Sequence, residues 1–192
     1  MKNSKLISTI AVILFVFSVQ VSYAQTSMKE PTVMVGGEAM YPKKNIIQNA
    51  VNSKEHTTLV AAVKAAGLVE TLSGNGPFTV FAPVNDAFEN LPAGTVDNLL
   101  KPENKAALTG VLTYHVISGN YSYDDIAAAI KKGKGSSTMK TVNGQSLTFM
   151  MNGAHNITVK DASGNVANIT TYDVTQSNGV IHVIDRVLLP KM

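Results

Sequence analysis

Residues 76–88, which read GPFTVFAPVNDAF, constrain the fold more than any other part of the sequence. Five strand-forming residues at 78–82 carry no charge and predict a buried strand. Pro83 has no N–H to donate to a ladder, so we expect the strand to stop there. Asn85 or Asp86 follows as a helix N-cap. No serine, histidine or glycine-rich turn follows the strand, so the stretch does not resemble a nucleophile elbow or a phosphate loop.

The first 24 residues predict a secretory signal peptide. Lys2 and Lys5 precede an apolar run at 6–21, and residues 22–24 (Ser-Tyr-Ala) match a small–x–small cleavage site. The run is shorter than the ~20 residues of a membrane span, and a retained N-terminal anchor is the alternative. We therefore predict an exported protein that resides outside the cell, on its surface or in the periplasm.

The domain boundaries are predicted from the signal peptide and from the proline and glycine residues that follow it. Residues 1–24 are the signal peptide, and 25–44 are a spacer interrupted by proline and glycine without a sustained period. Residues 45–190 have the length of one domain. The chain has no cysteine, which excludes disulfides, thiol nucleophiles and cysteine-type zinc sites.

The charge distribution argues against nucleic acid as a partner. Lys2 and Lys5 account for two of the formal charges in a net charge of +3, so the processed chain is nearly neutral. Arg186 is the only arginine in the sequence. The basic cluster at 131–134 is interpreted as a solvated loop. Phosphate recognition relies on many lysines and arginines, and guanine is commonly read by arginine forks.

Helical patterns dominate the first half of the domain. Four apolar residues at helical spacing predict a helix at 57–66, capped by Thr57 or Thr58. Gly67 supplies the left-handed position after it, and Leu68 supplies the packing residue of a Schellman motif. Weaker helical patterns lie before it at 45–51 and after it at 96–100, 102–112 and 122–130.

Strand patterns dominate the second half. Residues 113–117 alternate as a strand. Asn143-Gly144 is a strong signal for a tight hairpin between strands at 139–142 and 145–150. Further strand patterns lie at 156–160, 166–174 and 180–190. Helices gathered early and strands gathered late predict an α+β fold.

Three stretches, taken in order, resemble the fasciclin-like (FAS1) domain family: 79–88, the Tyr-His motif within 113–116, and 178–190. The resemblance covers about 45–190 and implies a wedge of two β-sheets with helices packed along one edge. It also implies a secreted or surface-held module for adhesion to cells, matrix or biofilm. Val84 stands where the commonest form of the first block has threonine, so we expect a hydroxyl contact of relatives to be absent. The structural signature residues are Thr79, Phe81, Pro83, Asn85, Phe88, Asn178, Gly179, Leu189 and Pro190.

The resemblance nominates Tyr114, His115, His182 and Asp185 as partner-binding residues, because relatives use the Tyr-His region and the second block in adhesion. The alternative is that each imidazole satisfies buried backbone groups through its two nitrogens. Asp185 lies in an apolar run and needs a partner. A backbone N–H or an asparagine such as Asn85 is the expected one.

Enzymatic and metal-dependent functions find little support in the sequence. It contains no Gly-x-Ser-x-Gly and no His-Glu-x-x-His motif, and its four histidines lack metal-ligand spacing. We therefore predict a non-catalytic module without metal or cofactor. Its partner is expected to be an extracellular protein or polysaccharide, with membrane association peripheral at most, and the protein is expected to be a monomer or weak homo-oligomer.

A carrier of an apolar small ligand, carotenoid- or lipid-like, is the alternative function. Some members of the resembled family carry such ligands, and a two-sheet wedge offers an apolar crevice. Met139, Phe149, Met150 and Met151 are the residues expected to line it. Core packing of the same four side chains is the competing interpretation.

Overall fold

The computed structural model describes residues 31–191. The predicted signal peptide and the first part of the predicted spacer lie outside these residues. Within them the helices are α1 (Ile46–Ala50), α2 (Thr57–Ala66), α3 (Val69–Ser73), α4 (Asn85–Glu89), α5 (Thr95–Leu99), α6 (Lys105–Tyr114) and α7 (Tyr123–Lys132). The strands are β1 (Val33–Val35), β2 (Glu38–Met40), β3 (Phe78–Pro83), β4 (Val116–Ser118), β5 (Ser136–Lys140), β6 (Ser146–Asn152), β7 (Asn156–Lys160), β8 (Val166–Gln176) and β9 (Gly179–Ile184).

Seven strands form one continuous ladder in the order β4-β3-β9-β8-β7-β6-β5, while β1 and β2 form a separate hairpin. β3 and β9 are the second and third strands in this order and run parallel, whereas all other neighbours are antiparallel. We call β3 and β9 the central strands because both of their faces are covered. Every residue of β9 is buried. This matches the expectation that parallel strands are covered on both faces.

The ladder bends at β8, the longest strand. Its first residues pair with β7 and its later ones pair with β9. Two register shifts interrupt the pairing of β8 with β9, between Ile169 and Thr171 and between Thr171 and Val174, and Asp173 adopts a φ of +54°. Bulges increase local twist and bend a strand. The sheet therefore folds over into a wedge with helices beside it, and the predicted α+β fold is confirmed.

Buried side chains form two cores, one on each face of the central strands. Val80 and Ala82 of β3 and Ile181 of β9 face the first core, which is closed by the β1–β2 hairpin, α1, α2, α3 and α6. Phe81 and Ile184 face the second core with α7, β6 and β7. Alternation along a strand sends successive side chains to opposite faces. The two central strands thus join both cores, and the 76–88 stretch is confirmed as the central buried strand.

The predicted spacer contributes to the domain at its C-terminal end. Val35 and Met40 of the β1–β2 hairpin are buried in the first core. Each strand is only three residues long, too short for a periodic signal. The structure therefore corrects the interpretation of residues 33–40 as spacer.

Glycine is required where β3 and β9 begin. Phe78 pairs with Gly179, and the Phe78 N–H donates to the Asn178 carbonyl at 3.1 Å. A Cβ atom on Gly179 would overlap the Phe78 backbone, and one on Gly76 would overlap the Asn178 carbonyl. The close approach of the two strands thus excludes any side chain at these positions.

We expect Gly179→Ala to lower the free energy of unfolding by about 2 kcal/mol or more, because the added methyl group meets backbone that cannot move away. Urea unfolding followed by circular dichroism measures the change. Gly110→Ala is the matched control, since a Cβ there meets nothing within 4 Å in α6 and alanine favours a helix. An equal loss of stability in both variants would contradict the close-approach explanation.

Candidate functional site

The Tyr-His motif ends a helix instead of forming a strand. α6 runs to Tyr114, and His115 is its C-cap residue. The Thr113 side-chain hydroxyl donates a hydrogen bond to the Thr109 carbonyl, one helical turn earlier, at 2.7 Å. β4 begins only at Val116. The prediction of a strand over 113–115 is therefore wrong, because β-branched and aromatic residues are tolerated in a helix whose other face is packed.

Tyr114 is fully buried and joins two segments of the sheet. Its hydroxyl donates to the Ser146 carbonyl at 2.9 Å and accepts from the Ala162 N–H at 2.8 Å. Burial raises the pKa of this phenol above its ordinary value. The side chain thus acts as a neutral bridge between the start of β6 and the turn that precedes β8.

His115 clamps α6 to the C-terminal segment. Its Nδ1 lies 2.8 Å from the Val111 carbonyl, and its Nε2 lies 2.9 Å from the Leu188 N–H. These partners assign a neutral ring that donates from Nδ1 and accepts at Nε2. Burial lowers the pKa of His115 to about 4, against smaller opposing effects of the Val111 carbonyl and Asp161.

His182 forms a second clamp with the opposite tautomer. Its Nε2 lies 2.8 Å from the Tyr121 carbonyl, and its Nδ1 accepts from the Asp173 N–H at 3.3 Å. The ring stacks on Phe81 at a centroid distance of 5.6 Å. Burial lowers its pKa. The clamp fixes β9 against the bulge of β8 and against the chain that leads into α7.

Asp185 lies just beyond β9, and its partner differs from the expected one. Its two carboxylate oxygens accept from the backbone N–H and the side-chain amide of Asn168, each at 2.7 Å. The prediction of a structural hydrogen bond is therefore right in kind, whereas Asn85 is wrong as the partner. Since β9 ends at Ile184, the strand predicted over 180–190 stops before Asp185.

Asp161 is a structural carboxylate that the sequence interpretation did not single out. It is buried, and it accepts from the Asn165 backbone at 2.8 Å, the Asn165 side chain at 2.9 Å and the Leu189 N–H at 2.9 Å. The Asp-x-x-x-Asn spacing is a local turn signal. The long-range bond to Leu189 has no sequence signal.

The four residues predicted to bind a partner do not form one exposed site. Tyr114, His115 and His182 are at most 3% exposed, and their ring heteroatoms have partners inside the domain. Asp185 is half-buried, with both oxygens bonded. Direct contact with a partner is therefore corrected to a scaffold role for the three buried side chains, whose hydrogen bonds hold loops and helix ends in place.

Asn85 caps a helix other than its own. α4 begins at Asn85 without a side-chain cap, and α2 likewise lacks a local side-chain cap. The Asn85 Oδ1 accepts from the Thr58 N–H at 3.1 Å and the Thr57 hydroxyl at 3.2 Å, while its Nδ2 donates to the Lys54 carbonyl at 2.9 Å. The predicted local caps at Asn85 and Thr57 or Thr58 are therefore replaced by one tertiary cap.

The remaining polar signature residues also face inward. Asn178 accepts from the Ile46 N–H at 3.0 Å and donates to the carbonyls of Leu72 and Gly74. Thr79 donates to the Gly119 carbonyl at 2.8 Å and accepts from the Tyr121 N–H. These side chains satisfy backbone groups where helices and loops meet the central strands, which makes them parts of the framework.

Three of the four residues expected to line a carrier crevice pack into the second core instead. Phe149 is fully buried, and Met139 and Met151 pack against the same cluster. Phe149 also contacts Phe81 at a centroid distance of 5.2 Å. Met150 lies on the opposite, outer face of β6. The four residues therefore do not line one crevice.

An apolar cavity of about 50 Å³ lies on the other side of the central strands, under α1, α2 and α3. Its lining is mostly aliphatic, including Met40, Val63 and Ile181. His56 belongs to the same lining, with Nδ1 2.8 Å from the Ser53 hydroxyl and Nε2 buried without a partner in the described chain. Burial lowers the pKa of His56 by more than the Ala82 backbone and Glu55 raise it.

Two wider properties describe the site region. Within residues 31–191, no group of three or more His, Cys, Asp or Glu side chains is arranged to hold a metal ion. Across the same residues, no helix combines the length and the apolar composition that crossing a bilayer requires.

Comparison with known proteins gives a match over most of the described chain. A family model, the Fasciclin domain, matches residues 54–190. Protein sll1483 of Synechocystis is 46% identical over 174 residues, covering 90% of this chain and 88% of that protein. The cell surface glycolipoprotein MPB83 of Mycobacterium bovis is 36% identical over 174 residues, covering 87% of this chain and 70% of its own length.

A solved structure gives an independent comparison of the fold. The FAS1 domain pair from the insect cell adhesion molecule Fasciclin I matches with a TM-score of 0.67 and 20% sequence identity. The match covers 77% of this chain and 51% of that chain. At this level of identity, the likeness establishes the wedge fold alone.

We expect the free energy of unfolding to fall as the pH is lowered from about 6.5 to about 4, by about 3 kcal/mol from His115 alone. The folded pKa lies below the unfolded one, so the unfolded state binds protons first and gains stability. Protonating Nε2 also removes the acceptor for the Leu188 N–H. Urea titrations across this pH range measure the loss.

His115→Gln is the comparison variant, because glutamine is neutral throughout this range and its pH dependence lacks the His115 contribution. Proton NMR of the folded wild-type protein follows the imidazole directly. A His115 resonance that titrates near pH 6.5 would show that the ring is not buried as a neutral clamp.

Asn85→Ala is expected to lower the free energy of unfolding by about 1–2 kcal/mol, because it removes the only side-chain cap of the α2 N-terminus. Asn90→Ala is the control, since Asn90 is an exposed asparagine at the end of the adjacent α4. Hydrogen exchange of the α2 amides localises the effect. Equal protection in the two variants would contradict the tertiary cap.

Proposed function

This chain belongs to the fasciclin domain family, and we propose that it is an exported, non-catalytic adhesion module that binds cell-surface, matrix or biofilm components. The family model spans residues 54–190, which agrees with the resemblance seen in the sequence. The proposal assigns no reaction to the domain. It places the contact with partners on the outer surface of the wedge.

One observation carries the proposal: the three titratable rings of the signature blocks, Tyr114, His115 and His182, are buried and make their hydrogen bonds inside the domain. His115 and His182 are neutral, enclosed and bonded on both ring nitrogens, and Tyr114 donates and accepts one hydrogen bond each. General acid–base catalysis requires a group within hydrogen-bond reach of a substrate. These groups have no such access, so the domain offers a partner its rigid exterior.

The relatives support an extracytoplasmic location. One is a cell surface glycolipoprotein of Mycobacterium bovis. For this chain, the signal peptide predicted from the sequence at 1–24 also supports export. Adhesion then requires only that the folded wedge present a surface outside the cell.

The apolar cavity favours a carrier as the second candidate function. A cavity of about 50 Å³ with mostly aliphatic walls has room for a small apolar group. Mostly apolar lining with few polar groups is typical of ligand pockets. Protein purified from its native source and carrying a visible absorption band through gel filtration would favour this candidate over adhesion.

We expect the exported protein, labelled and incubated with whole cells of the producing organism, extracellular matrix and immobilised glycans, to bind at least one of these surfaces. Heat-unfolded protein is the negative control. His115→Asn, tested at a temperature where it is folded, is expected to bind as the wild type does, because the ring lies inside the domain.

Absence of binding to every surface would overturn the adhesion proposal. Loss of binding in folded His115→Asn, with wild-type stability at the assay temperature, would restore His115 as a contact residue and contradict the scaffold role.

A further inference from the structure

The outer face of the β5–β8 part of the sheet is polar and mostly exposed to solvent. Alternate residues of β5 are exposed, and those between them pack inward. The register continues this alternation across β6, β7 and the start of β8. α7 lies on the opposite side, where Ile126 and Ile130 join the second core. We call the open side the basic sheet face and define it by these residues: Ser136, Thr138, Lys140, Ser146, Thr148, Met150, Asn156, Thr158, Lys160, Val166 and Asn168.

Positive charge lies on this face and in the chain segment that leads into it. Between residues 126 and 160 the sequence contains five lysines and no aspartate or glutamate. Lys140 and Lys160 are exposed on the face itself. The other three, Lys131, Lys132 and Lys134, lie in the last turn of α7 and in the turn that leads into β5.

These lysines are not neutralised within the described chain. An ion pair joins Lys54 to Glu38, on another part of the domain. The five lysine side chains have no hydrogen-bond or ion-pair partner in the same residues. Lys131 and Lys132 complement the C-terminal dipole of α7, but Lys140 and Lys160 have no such local role on their strands.

Two carboxylates border the face, and both form hydrogen bonds within the domain. Asp161 follows Lys160 but is buried and bonded to Asn165 and Leu189. Asp185 gives both oxygens to Asn168. Neither Asp161 nor Asp185 forms a salt bridge with the lysines, so the lysine charges remain available to a partner.

The polar side chains that lie between the lysines can form hydrogen bonds with sugar hydroxyls. Register places Thr138, Thr148 and Lys160 in one row across three strands. Strand spacing and rise put the Cα atoms of Lys140 and Lys160 about 12 Å apart. Hydroxyls and amides both donate and accept hydrogen bonds. The face therefore alternates fixed positive charges with neutral hydrogen-bonding groups.

We propose that the basic sheet face binds an acidic polysaccharide, that is, a sugar polymer whose hydroxyl groups are accompanied by carboxylate or sulfate groups. The inference rests on the proposed adhesion function and names its partner. Charge complementarity selects a polyanion. The face has no arginine and no aromatic side chain to stack on bases, and its apolar members, Met150 and Val166, are too few for insertion into a bilayer.

The test uses the exported protein with alginate as the polyuronate probe and dextran as the uncharged polymer of similar length. We expect alginate binding that weakens as salt is raised, with no binding to dextran. The double variant K140Q/K160Q is expected to bind alginate about tenfold or more weakly. K101Q/K105Q is the matched control, because it removes the same charge from exposed lysines at 101 and 105 on the helical side.

Three results would overturn the inference. Equal alginate affinity in K140Q/K160Q and the wild type would place any binding elsewhere. Binding to phosphatidylglycerol vesicles or to single-stranded DNA that is as tight and depends on the same two lysines would replace the polysaccharide as the partner. Binding to whole cells without binding to alginate or dextran sulfate would reject the acidic polysaccharide and leave the adhesion proposal standing, whereas absence of binding to cells and polymers would reject both.

Discussion

The parallel pairing of β3 and β9 is the interaction on which the rest of the structure depends. Their register brings residues 78–83 and 179–184, nearly a hundred positions apart, into one doubly covered ribbon. One side of the ribbon faces the helical core and the other faces the wedge interior. The pairing begins only because Gly179 lets the Phe78 backbone approach. Both hydrophobic cores would lose a wall if this contact failed, so folding of either core is coupled to it.

Buried polar groups then fix how helices and loops attach to this ribbon. His115 and His182 each donate through one ring nitrogen and accept through the other, and Asn85 and Asn178 satisfy helix and loop backbone in the same way. An unpaired buried polar group is costly, whereas a paired one specifies a single arrangement. The signature residues are therefore explained by backbone satisfaction rather than by contact with a partner.

The sequence was sufficient for the elements that depend on local or periodic signals. It predicted the central strand at 78–82, the Schellman end of α2 at Gly67 and the turn at Asn143-Gly144, and each is present. It failed where a distant group decides the outcome. No local pattern reveals that Asn85 caps α2, that Asp185 pairs with Asn168, or that packing extends α6 through Tyr114. The prediction of the candidate site was the least accurate, because burial of the Tyr-His motif depends on tertiary packing.

The separation of charge from apolar packing follows from the same architecture. Helices α1, α2, α3 and α6 cover one face of the ribbon. The helical part of the domain carries acidic residues such as Glu70, Asp97 and Glu103 among its lysines. The strands beyond the bend at β8 pack only their inner face, which leaves the outer face free of any packing requirement. A face under no packing constraint tolerates Ser, Thr, Asn and Lys alike, but nothing in the fold requires it to exclude Asp and Glu. Folding thus leaves the absence of acidic residues from 126 to 160 unexplained, and the acidic polysaccharide that we propose as a partner would account for it.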